Sequence, residues 1–228
     1  MDDWEYDRPR IYFSAVEILH LLLGVVGITV AFALLLGGSK GCPDDQIVCV
    51  PQIDARALVR LLPYAAVVVL PAFILHELAH KIVAQRKDMW AEFRANYFGL
   101  TGGIVLTAMF KILLSVPGAV FIYGDADRRD AGVIGIVGPL VNLAIGYVAL
   151  GLDALLPSVD IPSAGATGIG SLYELIVLAN AVLAAFNMLP VGPLDGRKVW
   201  SWSPVGFFGM WALIVALVLL VLNPRLAF

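Results

Sequence analysis

Residues 76–80 read His-Glu-Leu-Ala-His, two imidazoles four positions apart with a carboxylate beside the first. Positions four apart lie on one face of a helix, so His76 and His80 can bind one zinc ion. Glu77 sits beside that face and can take a proton from a metal-activated water. Zinc lowers the pKa of such a water to about 7, which makes a nucleophile available at neutral pH. The pattern falls inside an apolar stretch, PAFILHELAHKIVA. A charge at the bilayer centre costs roughly 2.5–3.5 kcal/mol on the insertion scale, so two histidines and a glutamate together need a reason. The plainer alternative is a polar cluster bonding between helices.

Zinc needs at least a third protein ligand and an open position. The remaining histidine, His20, lies near the start of the first apolar run and reads as interfacial. Acidic candidates in or beside the apolar runs are Glu17, Asp153, Glu174 and Asp195. The first three lie near run ends, where a side chain is expected to reach water. Asp195 differs. It follows Asn187-Met188-Leu189-Pro190-Val191-Gly192-Pro193-Leu194 and precedes Gly196, and the two prolines break a helix there. Broken backbone at membrane depth is tolerated only where protein or water satisfies it, as in the lining of a cavity. An ordinary Pro-Gly loop at a helix end is the competing reading.

HELAH followed by NMLPVGPLDG resembles the site-2 protease family of intramembrane zinc metalloproteases. Asn187, Pro190, Leu194, Asp195 and Gly196 match that family's Asn-x-x-Pro-x-x-x-Leu-Asp-Gly pattern position by position. Gly138-Pro139-Leu140-Val141-Asn142 looks like a Gly-Pro-x-x-Asn element common in the family. The resemblance covers the chain from about residue 60 to 200, although the extra hydrophobic stretch near 102–116 is longer than a minimal member requires. It implies that Asp195 is the third ligand of one zinc per chain. It also implies that Asn187 lies at the active site, where its amide could stabilise a developing oxyanion. The implied function is an intramembrane endopeptidase that cleaves membrane-embedded protein or peptide substrates, as in regulated intramembrane proteolysis. A membrane metal transporter is an alternative, since it also places histidine and acidic ligands at membrane depth. A zinc protease of the prenyl-protein-processing type is another, with Glu174 as its only later donor. The glutamate of HExxH is not needed as a ligand, which suits a general base better than an ion path.

The elements that must position these residues follow from composition. Of 228 residues, 60% are hydrophobic and 14% charged, and mean hydropathy is +0.88. Soluble domains sit near about 45–50% apolar and about 25% charged, so an integral membrane protein follows. A net charge of −3 offers no basic surface for nucleic acid. The acidic start lacks the basic region of a signal peptide, so the first run reads as a retained helix. Apolar runs fall at about 14–36, 59–85, 101–122, 131–156, 171–190 and 204–222. The expected fold is an all-α polytopic membrane protein with five or six transmembrane helices, and a small re-entrant or β element after the HExxH helix. A single metalloprotease domain over 1–228 is expected, with both motifs in a core over 59–203.

Run 101–122 stands apart. It opens with Gly102-Gly103, contains Lys111, and is broken at Pro117-Gly118 before the strand-like Ala119-Val120-Phe121-Ile122-Tyr123. Segments 93–100 and 117–123 are candidates for an exposed strand edge beside the metal, which could hold an unwound substrate. For His76, His80 and Asp195 to share a zinc, runs 59–85 and 171–190 must cross in the same direction, which makes 101–122 re-entrant and leaves five spans. Arg8, Arg10, Lys81, Arg86, Lys87, Arg94, Arg128, Arg129, Arg197 and Lys198 then face the inside, and Lys40, Arg56, Arg60 and Arg225 the outside. That bias obeys the positive-inside rule and puts the site nearer the cytoplasmic side, in a multi-pass protein of the cell membrane. Cys42 and Cys49 share one polar loop and could form a disulfide if it faces an oxidising exterior.

Overall fold

The computed structural model describes residues 11–40, 42, 50–113, 115–162 and 170–223. Arg8, Arg10, Cys49 and Arg225 lie outside the described residues. Helix α1 (Ala15–Ala33) begins at Ser14, whose hydroxyl accepts from the Glu17 amide, and continues through a π-helical turn at Leu34–Gly38. Helix α2 (Ala55–Val69) is capped by Asp54 and runs through a second π-helical turn, Leu70–Ile74, into α3 (Leu75–Gln85). Strand β1 (Trp90–Ala95) follows, then α4 (Tyr97–Phe110) and strand β2 (Gly118–Tyr123). Helix α5 (Arg128–Leu155) is the longest unbroken helix, and α6 (Leu172–Asn187) starts from a capping box made by Ser171 and Glu174. Asp195 is the first residue of α7 (Asp195–Trp202), and α8 (Pro204–Leu222) closes the described chain.

Among the described residues, four helices are long and apolar enough to cross a membrane: Ala15–Gly38, Ala55–Gln85, Arg128–Leu155 and Pro204–Leu222. Tyr97–Phe110 and Leu172–Asn187 are apolar but shorter. The 16 residues of α6 reach about 24 Å at 1.5 Å per residue, against a hydrocarbon core of about 30 Å. Its cap at Ser171 and the prolines after Leu189 set those limits. Two apolar clusters hold the bundle. One joins α1, α2, β1 and α6 through Phe32, Leu61, Phe73, Phe93 and Leu175. The other joins α5 to α8 through Leu143, Val177, Met188, Val199 and Leu217.

Run 101–122 is not one helix. α4 ends at Lys111, which takes a left-handed conformation with φ 57°. Its ammonium donates to the carbonyls of Leu34 and Leu35 at the end of α1. The chain then returns, and β2 pairs antiparallel with β1 from Ala95–Gly118 to Trp90–Tyr123. The excursion therefore begins and ends together, and just beyond it Lys87 forms an ion pair with Asp130. The predicted strand at 93–100 stops at Ala95, because the Asn96 side chain accepts from Gly99 N and starts α4.

One expectation is corrected. Glu17 does not reach water: it is 0% exposed and pairs at 2.8 Å with Lys81, itself 1% exposed. Each ion satisfies the other, and both also engage β1, which makes burial of the two charges tolerable. Cys42 is disulfide-bonded; the proposed partner Cys49 lies outside the described residues.

Candidate metal centre and proton acceptor

The HExxH helix α3 turns His76 and His80 to one face, with Nε2 atoms 3.0 Å apart. Asp195 reaches the same point from the start of α7. Its Oδ2 lies 3.0 Å from His80 Nε2 and 3.6 Å from His76 Nε2. Ligand atoms of all three residues lie within 4.8 Å of one another, and all three residues are buried. The turn after α6 brings Asp195 here. Gly192 adopts φ 55° between the two prolines, and Gly196 packs so closely on Met188 that a Cβ would collide with the Met188 carbonyl. Glycine at 196 is therefore a packing requirement next to the carboxylate.

The other face of each imidazole is fixed. His80 Nδ1 lies 2.7 Å from the Ile134 carbonyl, which can only accept, so that nitrogen carries the proton. His76 Nδ1 lies 2.6 Å from Asn142 Oδ1. In their neutral form both rings present an Nε2 lone pair towards the carboxylate, the arrangement that a shared cation favours. Gly138 gives that cation room, because a Cβ there would collide with His80 Nε2 and stand 2.7 Å from His76 Nε2. Two neutral imidazoles and one carboxylate are the donor set of a catalytic zinc site. The residues present fit the metal. Lys198 donates to the second oxygen of Asp195, Oδ1, at 3.0 Å, leaving Oδ2 for the imidazoles.

Glu77 follows His76 on α3 and lies near Asp195 and Lys198. The backbone amide of Val120 on β2 also acts on its carboxyl. In an antiparallel ladder, residues alternate between facing the partner strand and facing away. Phe93 N donates to Glu17 Oε1, away from β2, so its partner Val120 also points outward, towards Glu77. The outer edge of β1 is covered: Lys81 and Gln85 donate to Ala91 O, and Ala95 N donates to His20 Nδ1. No third strand pairs with β2 among the described residues.

The remaining sequence candidates have other partners. Asp153 accepts from the Ser171 hydroxyl at 2.7 Å, and Glu174 accepts from the amides of Gly170 and Ser171. Glu174 thus serves a helix cap, which removes the donor needed by the prenyl-processing alternative. His20 also bonds to the Tyr97 hydroxyl. Asn187, half-buried, donates to the Leu183 carbonyl of its own helix at 3.0 Å. The sequence marks Lys198 only as one of the charges expected on the inside; its spacing of three from Asp195 on a short helix is the signal that points to the pairing.

Among curated proteins, the chain is 38% identical over 207 residues to "Putative zinc metalloprotease MJ0611" of Methanocaldococcus jannaschii, covering 89% of this chain and 90% of that protein. It is 29% identical over 153 residues to "Putative zinc metalloprotease YwhC" of Bacillus subtilis, covering 61% of this chain and 68% of that protein. It is also 32% identical over 126 residues to "Zinc metalloprotease MJ0392" of Methanocaldococcus jannaschii, covering 55% of this chain and 30% of that longer protein. No family model and no solved structure matches the chain.

Proposed function

The chain belongs to the site-2 protease-like family of zinc metalloproteases, and on that footing we propose that it is an intramembrane endopeptidase acting on membrane-embedded protein or peptide substrates. The observation that carries the reading is the buried meeting of His76, His80 and Asp195, with Glu77 alongside, in a bundle of membrane-length apolar helices. His76, His80 and Asp195 would hold one zinc, within a single domain whose core, 59–203, carries both motifs. Zinc in such a site acts as a Lewis acid and makes water a nucleophile near neutral pH. Glu77 accepts the proton from the attacking water and returns it to the departing amine. The Asn187 amide has a second N–H beyond the one given to Leu183, and that donor serves the developing oxyanion.

A peptide bond inside a helix is shielded, so the substrate must be extended at the site. The open edge of β2 supports strand addition as the way it is held. Val120 N–H points to the Glu77 side, while side chains cover the edge of β1. A substrate strand on β2 would therefore lie against the proton acceptor. The protein is placed by this reading in the cell membrane, with the site nearer the cytoplasmic side.

The test is substrate class. Purified chain in proteoliposomes should cleave a co-reconstituted transmembrane peptide at a site within its apolar segment and leave an unstructured soluble peptide intact. Cleavage of the soluble peptide alone would overturn the intramembrane reading while leaving the zinc protease in place.

A further inference from the structure

A chain of buried amides runs away from the metal centre. Asn142 on α5 and Asn180 on α6 are both 0% exposed. Asn142 Oδ1 meets His76 Nδ1 at 2.6 Å, and its Nδ2 donates to Ala72 O and to Asn180 Oδ1, each at 2.9 Å. Asn180 Nδ2 in turn donates to Ile176 O at 2.9 Å. Ala72 lies in the π-helical turn just before the HExxH helix, a device that recurs at functional sites.

The orientation of every amide follows from what its partners can do. Ile176 O and Ala72 O are carbonyls and only accept, so each must face an NH2 group. Asn180 therefore turns its oxygen to Asn142, and Asn142 turns its oxygen to His76. A flipped Asn142 would set its oxygen against two acceptors and its NH2 against His76 Nδ1. His76 Nδ1 must then carry the proton, and its Nε2 lone pair faces Asp195 and His80.

We propose that Asn180 is a positioning residue for the metal centre: by accepting from Asn142 it locks the amide that fixes the tautomer and orientation of His76. Asn180 lies in the middle of an apolar helix and belongs to neither metal-binding motif. Its role explains why a polar side chain is kept at a fully buried position there. Partners bonded directly to a ligand, as Asn142 is to His76, typically change metal affinity by about 10–100-fold when lost, and Asn180 acts one bond further out.

The inference rests on the zinc reading above, and zinc affinity of the purified full chain, measured by competition with a chelator, separates the two. Asn180→Leu removes the acceptor at similar volume. Asn180→Asp, protonated in this apolar setting, restores both bonds, with its carbonyl accepting from Asn142 and its hydroxyl donating to Ile176 O. The expected result is a loss of about 10-fold in Asn180→Leu, the lower end of that range, with near wild-type affinity in Asn180→Asp. Should Asn180→Leu not fold, Asn180→Ala carries the same expectation. Wild-type affinity in the acceptor-less variant, or equal loss in Asn180→Asp, overturns the inference. No zinc in the wild-type protein would instead overturn the metal centre itself.

Discussion

Asp195 Oδ2 lies 3.0 Å from His80 Nε2, although the two residues stand in different helices far apart in the chain. The contact exists because α6 stops at Asn187 and the turn through Pro190-Val191-Gly192-Pro193 leads into a new helix with Asp195 as its first residue. Two imidazoles and a carboxylate meeting there define the proposed zinc site.

Gly138→Ala should lose zinc while keeping the fold. The added methyl would occupy the space between His76 and His80 that the metal needs. Zinc content of the folded, detergent-purified variant should fall well below one per chain. Full occupancy would mean that the rings move apart at little cost and that Gly138 is not a space-maker.

Asn187→Ala should keep its zinc and lower turnover by about 10²–10³-fold, the scale for loss of one oxyanion donor. The Leu183 carbonyl that Asn187 now engages lies near the end of α6 and has an alternative in water. Zinc loss or a collapsed thermal transition would assign Asn187 a structural role.

Val120→Pro tests the open strand edge. Proline removes the outward amide of β2 but no ladder bond to β1, because Phe93 and Val120 face away from each other. Zinc binding should persist while cleavage of the membrane peptide falls, through weaker substrate binding and through loss of the amide that acts on Glu77. Unchanged KM and kcat would show that substrate is held elsewhere.

Residues 88 and 127 should label from the same side of the membrane in single-cysteine variants lacking Cys42 and Cys49. Lys87 pairs with Asp130, and Trp90 pairs with Tyr123, so the excursion between them enters and returns. Labelling from opposite sides would make 101–122 a crossing and would invert the direction of α6.

What was legible in the sequence was what repeats locally. His76 and His80 share a helical period, and the prolines before Asp195 set it apart among the acidic candidates, while its place as third ligand came from the family resemblance. The β element was visible in Gly118–Tyr123, but only the end of β1 was, because Trp90–Ala95 mixes charge and aromatics and the strand was expected at 93–100. Glu17 and Lys81 misled for a physical reason. A charge near the end of an apolar run has water as its default partner, and the sequence does not reveal that another helix supplies a counter-ion. Asn142 and Asn180 are isolated amides whose partners lie on other helices, so no spacing rule finds the bond between them. The π-helical turn before His76 was equally silent, since Leu70–Ile74 has the composition of ordinary helix.

The most direct test separates metal from proton transfer: zinc content and cleavage of a transmembrane peptide, measured together in wild type, Glu77→Gln and Asp195→Ala. One zinc per chain and cleavage are expected in wild type. Glu77→Gln should keep the zinc and lose cleavage by at least about 10²-fold, the lower end for loss of a general base. Asp195→Ala should lose both. Full cleavage in either variant, or full zinc in Asp195→Ala, would contradict the account.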